Sequence, residues 1–193
     1  MLDYLFLPLR LILSHESVNR LGLKSLRDER CDLVIRFCRG RLLDIGCGNN
    51  QLVKKYGCRS VGVDVHDFGG GGLIVQDTRQ LPFENNSFQT VSLVASLGHI
   101  PKPIRRDVLR EVWRVLSKDG ILLITEISPW LGVIRHKLAW WDMDQKERGI
   151  KKEEDLGLTS RSVINLLEDI GFVFLRKKRF VLGLNKLYIF KKP

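Results

Sequence analysis

No apolar run in the 193-residue sequence comes near the ~18–20 residues needed to cross a bilayer, and the densest apolar stretch, Tyr4–Leu9, already contains Pro8. A secretory leader is not expected either. Asp3 stands where basic residues would lead one, Arg10 breaks the apolar stretch, and no small-residue cleavage site follows. The four cysteines, Cys31, Cys38, Cys47 and Cys58, include no C-x-x-C pair, which speaks against a zinc or dithiol site and for reduced, partly buried thiols. The nicotinamide-type fingerprint G-x-G-x-x-G is absent too, because Gln51 stands three residues after Gly48. No repeat, acidic tail or Gly/Ser linker divides the chain. These absences point to a single cytoplasmic domain spanning 1–193, without a metal centre.

What is present is a hydrophobic fraction of 44% and a formal charge of +10, enough apolar content for one sizeable core. The basic excess is uneven: residues 129–193 hold fourteen Lys and Arg against eight Asp and Glu. That skew would attract an anionic substrate, a nucleic acid or an anionic membrane surface.

The chain alternates strand and helix patterns. Leu23–Arg39 is helix-like, and Arg41–Ile45 reads as a buried strand ending at Gly46. A short helix is expected over Asn50–Tyr56, then strands at Ser60–Asp64, Leu73–Gln76, Thr90–Ala95 and Ile121–Glu126. Pro103–Ser117 carries Ile104, Val108, Leu109, Val112 and Leu116 at helical spacing, and Lys118-Asp119-Gly120 should stop it. Thr159–Ile170 reads as a helix capped by Thr159 and closed by Gly171. Strands Phe172–Leu182 and Lys186–Lys191 would form a closing hairpin around Gly183-Leu184-Asn185. Such alternation predicts an α/β fold: a Rossmann-like, mostly parallel seven-stranded sheet with helices on both faces and a C-terminal antiparallel hairpin.

In sheets of this kind, ligands bind beyond the carboxyl ends of the strands. After the first strand lies Asp44-Ile45-Gly46-Cys47-Gly48, where two glycines let the backbone turn sharply before a helix. After the second lies Asp64, an acceptor-only carboxylate suited to the two donors of a ribose diol. After the third come Asp77-Thr78, and after the fourth Ser96-Leu97-Gly98-His99. The ordered set Leu42–Gly48, Val61–Asp64, Asp77 through Leu81-Pro82-Phe83, Leu97–Ile100 and Glu111–Gly120 resembles the class I S-adenosylmethionine-dependent methyltransferases. The resemblance covers about residues 41–126 and is nearest the ubiquinone/menaquinone-biosynthesis branch.

That resemblance implies S-adenosylmethionine as cofactor. Asp44, Gly46 and Gly48, with Cys47 between them, would frame its methionine end. Asp64 and the adjoining Val65 would hold the ribose, Asp77 and Thr78 the adenine. Ser96 and His99 would sit near the methyl group, with His99 as the candidate catalytic base. The sequence departs from the family pattern at three places. Asn50 replaces a frequent third glycine, Gly69–Gly72 stands where a helix usually lies, and Gly98-His99 replaces a frequent pair of histidines.

The acceptor would be a small molecule, a lipid-linked compound or a sugar. Residues 129–158, with Trp130, His136, Trp140 and Trp141, would cover it. An amphipathic segment over 1–20, with Leu2, Leu5, Phe6, Leu9, Ile12 and Leu13 on one face interrupted by Pro8, would allow peripheral membrane contact through residues 1–14. Two alternatives stay open. One is an RNA methyltransferase, although no Asp/Asn-Pro-Pro-aromatic motif follows the fourth strand. The other is a non-catalytic cofactor-binding protein of the same fold.

Overall fold

The structure is a computed structural model and describes residues 6–57, 59–129, 154–155 and 157–193. Three N-terminal helices, α1 (Leu7–Ile12), α2 (His15–Arg20) and α3 (Leu26–Ile35), precede β1 (Leu42–Ile45). Then follow α4 (Gln51–Tyr56), β2 (Val61–Asp64), β3 (Leu73–Ile74), β4 (Phe88–Val94), a single 3-10 turn (Leu97–His99), α5 (Lys102–Val115), β5 (Leu116–Ile127), α6 (Ser160–Glu168), β6 (Val173–Phe180) and β7 (Asn185–Lys191).

The seven strands form one sheet in the order β3-β2-β1-β4-β5-β7-β6. Strands β1 to β5 pair in parallel and β7 enters antiparallel between β5 and β6. All four residues of β1 are buried, which is why it reads as a continuous apolar run broken only by Asp44. One core, containing Phe88, Val91, Leu93 and Tyr188, lies under α5 and α6. A second, containing Cys31, Val34, Leu123 and Leu187, lies under α3 and α4. The sheet thus has apolar cover on both faces. Thr159 caps α6 by accepting from the Ser162 N–H, as its sequence position predicts.

The departures have local causes. The Lys118–Gly120 segment does not form a separate stop; β5 starts at Leu116 directly after α5. Phe88 pairs with Leu116 but Thr90 with Ile121, so the intervening residues bulge outward. Asp119 there takes φ 61°, and the Asp119 N–H and Gly120 carbonyl bond to Lys192 of the chain's tail. Strand β3 is shorter than expected, and Leu73 and Ile74 stay exposed because no helix covers that edge between β2 and β3. Strand β6 stops at Phe180 because Val181 and Leu182 turn left-handed at φ 49° and 52°. That is rare for a β-branched residue, and Val181 holds it by burying its side chain against Leu7 and Leu26.

The N-terminal face also differs from the expectation. Pro8 falls in the first turn of α1, where the missing N–H costs nothing, rather than interrupting the helix. Leu7 and Arg10 point inward, Arg10 Nη2 meeting Glu29 Oε2 at 2.5 Å with its side chain wholly buried. Phe6 and Leu9 are exposed instead. Leu2 and Leu5 lie outside the described residues.

Candidate cofactor and acceptor site

The strand order reverses between β1 and β4, so the carboxyl tips of β2, β1 and β4 border one crevice. Asp44 is buried at the end of β1 and accepts a 2.6 Å hydrogen bond from Ser92 Oγ on β4. Burial pushes its carboxyl up to about 7, the Ser92 bond opposing and the nearby Asp64 charge adding. The chain then turns sharply. The N–H groups of Gly46 and Cys47 both donate to the Val63 carbonyl, at 2.9 and 3.1 Å. Gly46 is left-handed at φ 72°, and a Cβ there would lie 2.5 Å from Ser96 Cβ. Ser96 closes the turn by donating from Oγ to the Ile45 carbonyl at 2.7 Å.

The Cys47 side chain does not face the crevice. It is buried against Gly62 and Gly72, and burial, then the charges of Asp44 and Asp64, pushes its thiol up to about 12. Only its backbone is placed to meet a ligand. Gly48, left-handed at φ 52°, has nothing within 4 Å of where a side chain would begin, so the loop opens onto free space there. Its N–H donates to Asp64 Oδ2 at 2.8 Å, tying the loop to the tip of β2. Asn50, in place of the third glycine, takes φ 61°, and its Nδ2 donates to Gly71 O at 3.3 Å. A Cβ at Gly70 would lie 2.2 Å from backbone of Asn49. The glycine run therefore substitutes for a helix by lying directly against the loop.

Asp64 accepts one hydrogen bond at each oxygen, from Gly48 N–H and from His66 N–H at 3.2 Å. A carboxylate has about four acceptor positions, so it retains acceptor capacity toward the crevice. Val65 beside it is 47% exposed, an apolar flank at the mouth. Asp77 is placed on the same rim but is engaged by its own loop: Arg79 Nε and N–H reach it at 2.8–3.0 Å, and these bonds hold its carboxyl below the usual range. Thr78 is half-buried beside it.

His99 ends the 3-10 turn after β4, and its Nδ1 lies 3.1 Å from Glu154 Oε2. The histidine side chain is 38% exposed and that of Glu154 only 1%. Several residues that hold this turn were missed in the sequence. Asp155 N–H donates to Gly98 O at 2.9 Å. Arg105 on α5 donates to Gly98 O and Ile100 O and pairs with Asp155 Oδ2 at 2.8 Å. Gly98 N–H donates to the buried Glu126 at the end of β5, whose carboxyl burial pushes up to about 7. Ala95 takes φ 56°, its N–H held by the carbonyl and Oγ1 of Thr125. A side chain at position 98 would meet Asp155 O at 2.6 Å. The glycine that replaces a frequent histidine is thus what lets the 154–155 segment close beside His99. Trp130, His136, Trp140 and Trp141 lie outside the described residues.

Residues 43–124 match the family model described as "Methyltransferase domain". That match covers under half of the chain, so the chain is similar to this family over the stretch from β1 to β5. A demethylmenaquinone methyltransferase of Chlamydia pneumoniae is 24% identical over 78% of each chain. A "Putative methyltransferase" of Encephalitozoon cuniculi (strain GB-M1) is 34% identical over 43% of each, so the match spans under half the length of that relative. Among solved structures, a TehB-like S-adenosylmethionine-dependent methyltransferase from Corynebacterium glutamicum superposes with a TM-score of 0.64 at 16% identity, covering 92% of this chain and 94% of that one. This last likeness is one of fold.

The residues at these strand tips fit S-adenosylmethionine, the cofactor that the matched family implies, on chemistry seen here. Acceptor-only carboxylates stand at the strand tips, one with spare acceptor positions, and the Gly48 loop opens where a ligand would approach.

Proposed function

We propose that this chain transfers a methyl group from S-adenosylmethionine to a small-molecule, lipid-linked or sugar acceptor, within one domain that uses residues 129–158 as the acceptor cover. The observation that carries the reading is the junction of Gly48 N–H and Asp64 Oδ2 at 2.8 Å, which sets a carboxylate and an open left-handed loop side by side. Asp64 would take the ribose hydroxyls, with Val65 against the sugar. Gly46, Gly48 and the Cys47 backbone would follow the methionine end, with Asp44 shaping the turn from beneath. Thr78 and Asp77 would border the adenine.

When bound, the cofactor supplies an electrophilic methyl group on a positively charged sulfur. The protein's task is then alignment and exclusion of water. His99 would hold the proton that the acceptor atom gives up, and the buried Glu154, 3.1 Å from its Nδ1, would orient the ring. Ser96, committed to Ile45 O, braces the turn rather than offering a free hydroxyl.

A specific observation favours the lipid-linked class. Phe6, just before α1, and Leu9 on it are exposed, as is Leu182 at the hairpin tip, and α1 packs on that hairpin through Leu7 and Val181. An apolar rim of this kind suits peripheral contact with a membrane through residues 1–14, for a protein otherwise in the cytoplasm. Deleting 1–14 would strip Leu7 and Arg10 from the body, so the sharper test is Phe6→Ser with Leu9→Ser in vesicle co-sedimentation. Unchanged sedimentation, or none with the parent, removes this contact. The main reading is tested by labelled-methyl transfer to a panel of acceptors together with calorimetry against S-adenosylhomocysteine. Absence of cofactor binding ends it. Binding without transfer to any acceptor favours a non-catalytic protein.

A further inference from the structure

Beyond Glu126, the carboxyl edge of the sheet continues onto β7 and β6. From Ile170 to Pro193 the sequence has seven Lys and Arg and no Asp or Glu. Strand register sorts these seven. Lys191 pairs with Asp119 at 2.6 Å, and Lys192 Nζ is held by the carbonyls of Trp113 and Leu116, both at the far end of the hairpin. Arg176 and Lys178 turn toward α3, each stacked over the Phe37 ring at 4.8 and 4.9 Å.

The remaining three face the α6 side, at the same edge as the crevice. Arg179 lies directly opposite Lys186, and Lys186 directly opposite Glu126. Lys177 Nζ lies 3.3 Å from Ser160 Oγ, which also bonds the Tyr188 hydroxyl at 2.9 Å. Directly opposed like charges destabilise a sheet, and among the described residues no carboxylate forms an ion pair with Arg179 or Lys186. Burial first, then the charges of Lys177 and Arg179, holds the Lys186 ammonium below its usual range. Glu126 is already engaged by Gly98 N–H, and its burial favours the neutral acid. The arrangement would be favoured by an added counter-charge.

We propose that Lys177, Arg179 and Lys186, with the Ser160 hydroxyl, form a subsite for a phosphate group carried by the methyl acceptor. The proposal rests on the methyl-transfer reading, because it places the subsite relative to the transfer centre. Strands lie about 4.8 Å apart, and β7 and β6 are two and three strands from β4. The phosphate would therefore sit about 10–14 Å from the accepting atom. Tetrahedral oxygens can bridge cations on neighbouring strands with charge-assisted hydrogen bonds, while a neutral sugar or quinol ring would leave the three cations facing one another.

The test uses inorganic pyrophosphate titrated into the full chain at low ionic strength, followed by calorimetry. Saturable binding is expected. Arg179→Gln with Lys186→Gln should weaken it on the order of tenfold or more. Arg176→Gln with Lys178→Gln removes the same charge from the opposite face of the same strand and should leave affinity within about twofold. Equal weakening by both pairs, or no saturable binding, overturns the subsite. A second arm uses phosphatidylcholine vesicles with and without phosphatidylglycerol. Anionic vesicles bound more tightly than pyrophosphate, and released equally by both pairs, would assign the charge to a bilayer surface and also overturn it. S-adenosylhomocysteine binding, measured in parallel, should be unchanged in all variants. Its absence in the parent would sink methyl transfer while the pyrophosphate result still decided whether an anion site exists, so the two failures are distinguishable.

Discussion

The two ends of the sheet's carboxyl edge carry opposite chemistry. At β1 and β2 the tips are carboxylates, Asp44 and Asp64, set in glycine-rich backbone and packed almost out of solvent. At β7 and β6 they are cations, Lys186 on the inner of the two strands and Arg179 exposed on the outer one. The acidic end meets the donors of its own loop and keeps acceptor capacity for more, which suits a hydroxyl-rich, positively charged ligand. The basic end opposes like charges and suits an anion. Between them stand His99, Glu154 and Glu126, where the two ligands would meet. On the proposed reading, one sheet edge would serve two partners of opposite charge by giving each its own strands.

Breaking the acidic end should have the largest effect. Asp64→Ala removes an acceptor for both the Gly48 loop and the ribose, and S-adenosylhomocysteine affinity should fall on the order of a hundredfold, read by calorimetry. Gly46→Ala comes next. Its left-handed backbone and the 2.5 Å approach to Ser96 should cost about 1–3 kcal/mol of stability in urea melts and weaken cofactor binding with it.

The middle is sharpened by Glu154→Gln. Loss of the buried carboxylate should cut methyl transfer about tenfold while S-adenosylhomocysteine affinity stays within about twofold, read by turnover and calorimetry. Unchanged turnover would leave the pair without influence on the transfer.

The smallest effect is a pH slope. The Asp44 carboxyl, raised to about 7 by burial, lies above its unfolded value of about 4. The folded state then holds more protons, and this group's contribution to stability falls as pH rises from about 4 to about 7. Asp44→Asn should flatten that part of the urea-midpoint curve, since its amide oxygen can still accept from Ser92. Asp28 acts in the opposite sense. Burial alone would raise its carboxyl, but the bonds from Lys55, Ser25 and Asn19 outweigh burial and hold it at about 2. Its contribution is lost as pH drops from about 4 to about 2.

Much of this contrast was readable in the sequence. Buried strands ending in Gly46 and Asp64 announce themselves by apolar runs stopped by glycine and acid. The helix under β4 shows its face through Val108, Leu109 and Val112. Arg105, on that same face, carried a signal that went unused: a cation at a core position must bind something, and it binds the Gly98 and Ile100 carbonyls. Asp77 likewise had Arg79 two residues away to claim it. Glu154 could not be foreseen, because its partner is 55 positions distant and depends on the missing side chain at Gly98. Nor could the inward Arg10, whose partner Glu29 lies on another helix. Long-range polar pairing leaves no period in a sequence, whereas burial does.

The central claim is tested most directly by calorimetry of the full chain with S-adenosylhomocysteine, with NADH as the competing adenosine-bearing ligand. Saturable binding of the thioether at one site per chain, undisturbed by NADH, is the predicted result. A flat titration, or displacement by NADH, would contradict the account.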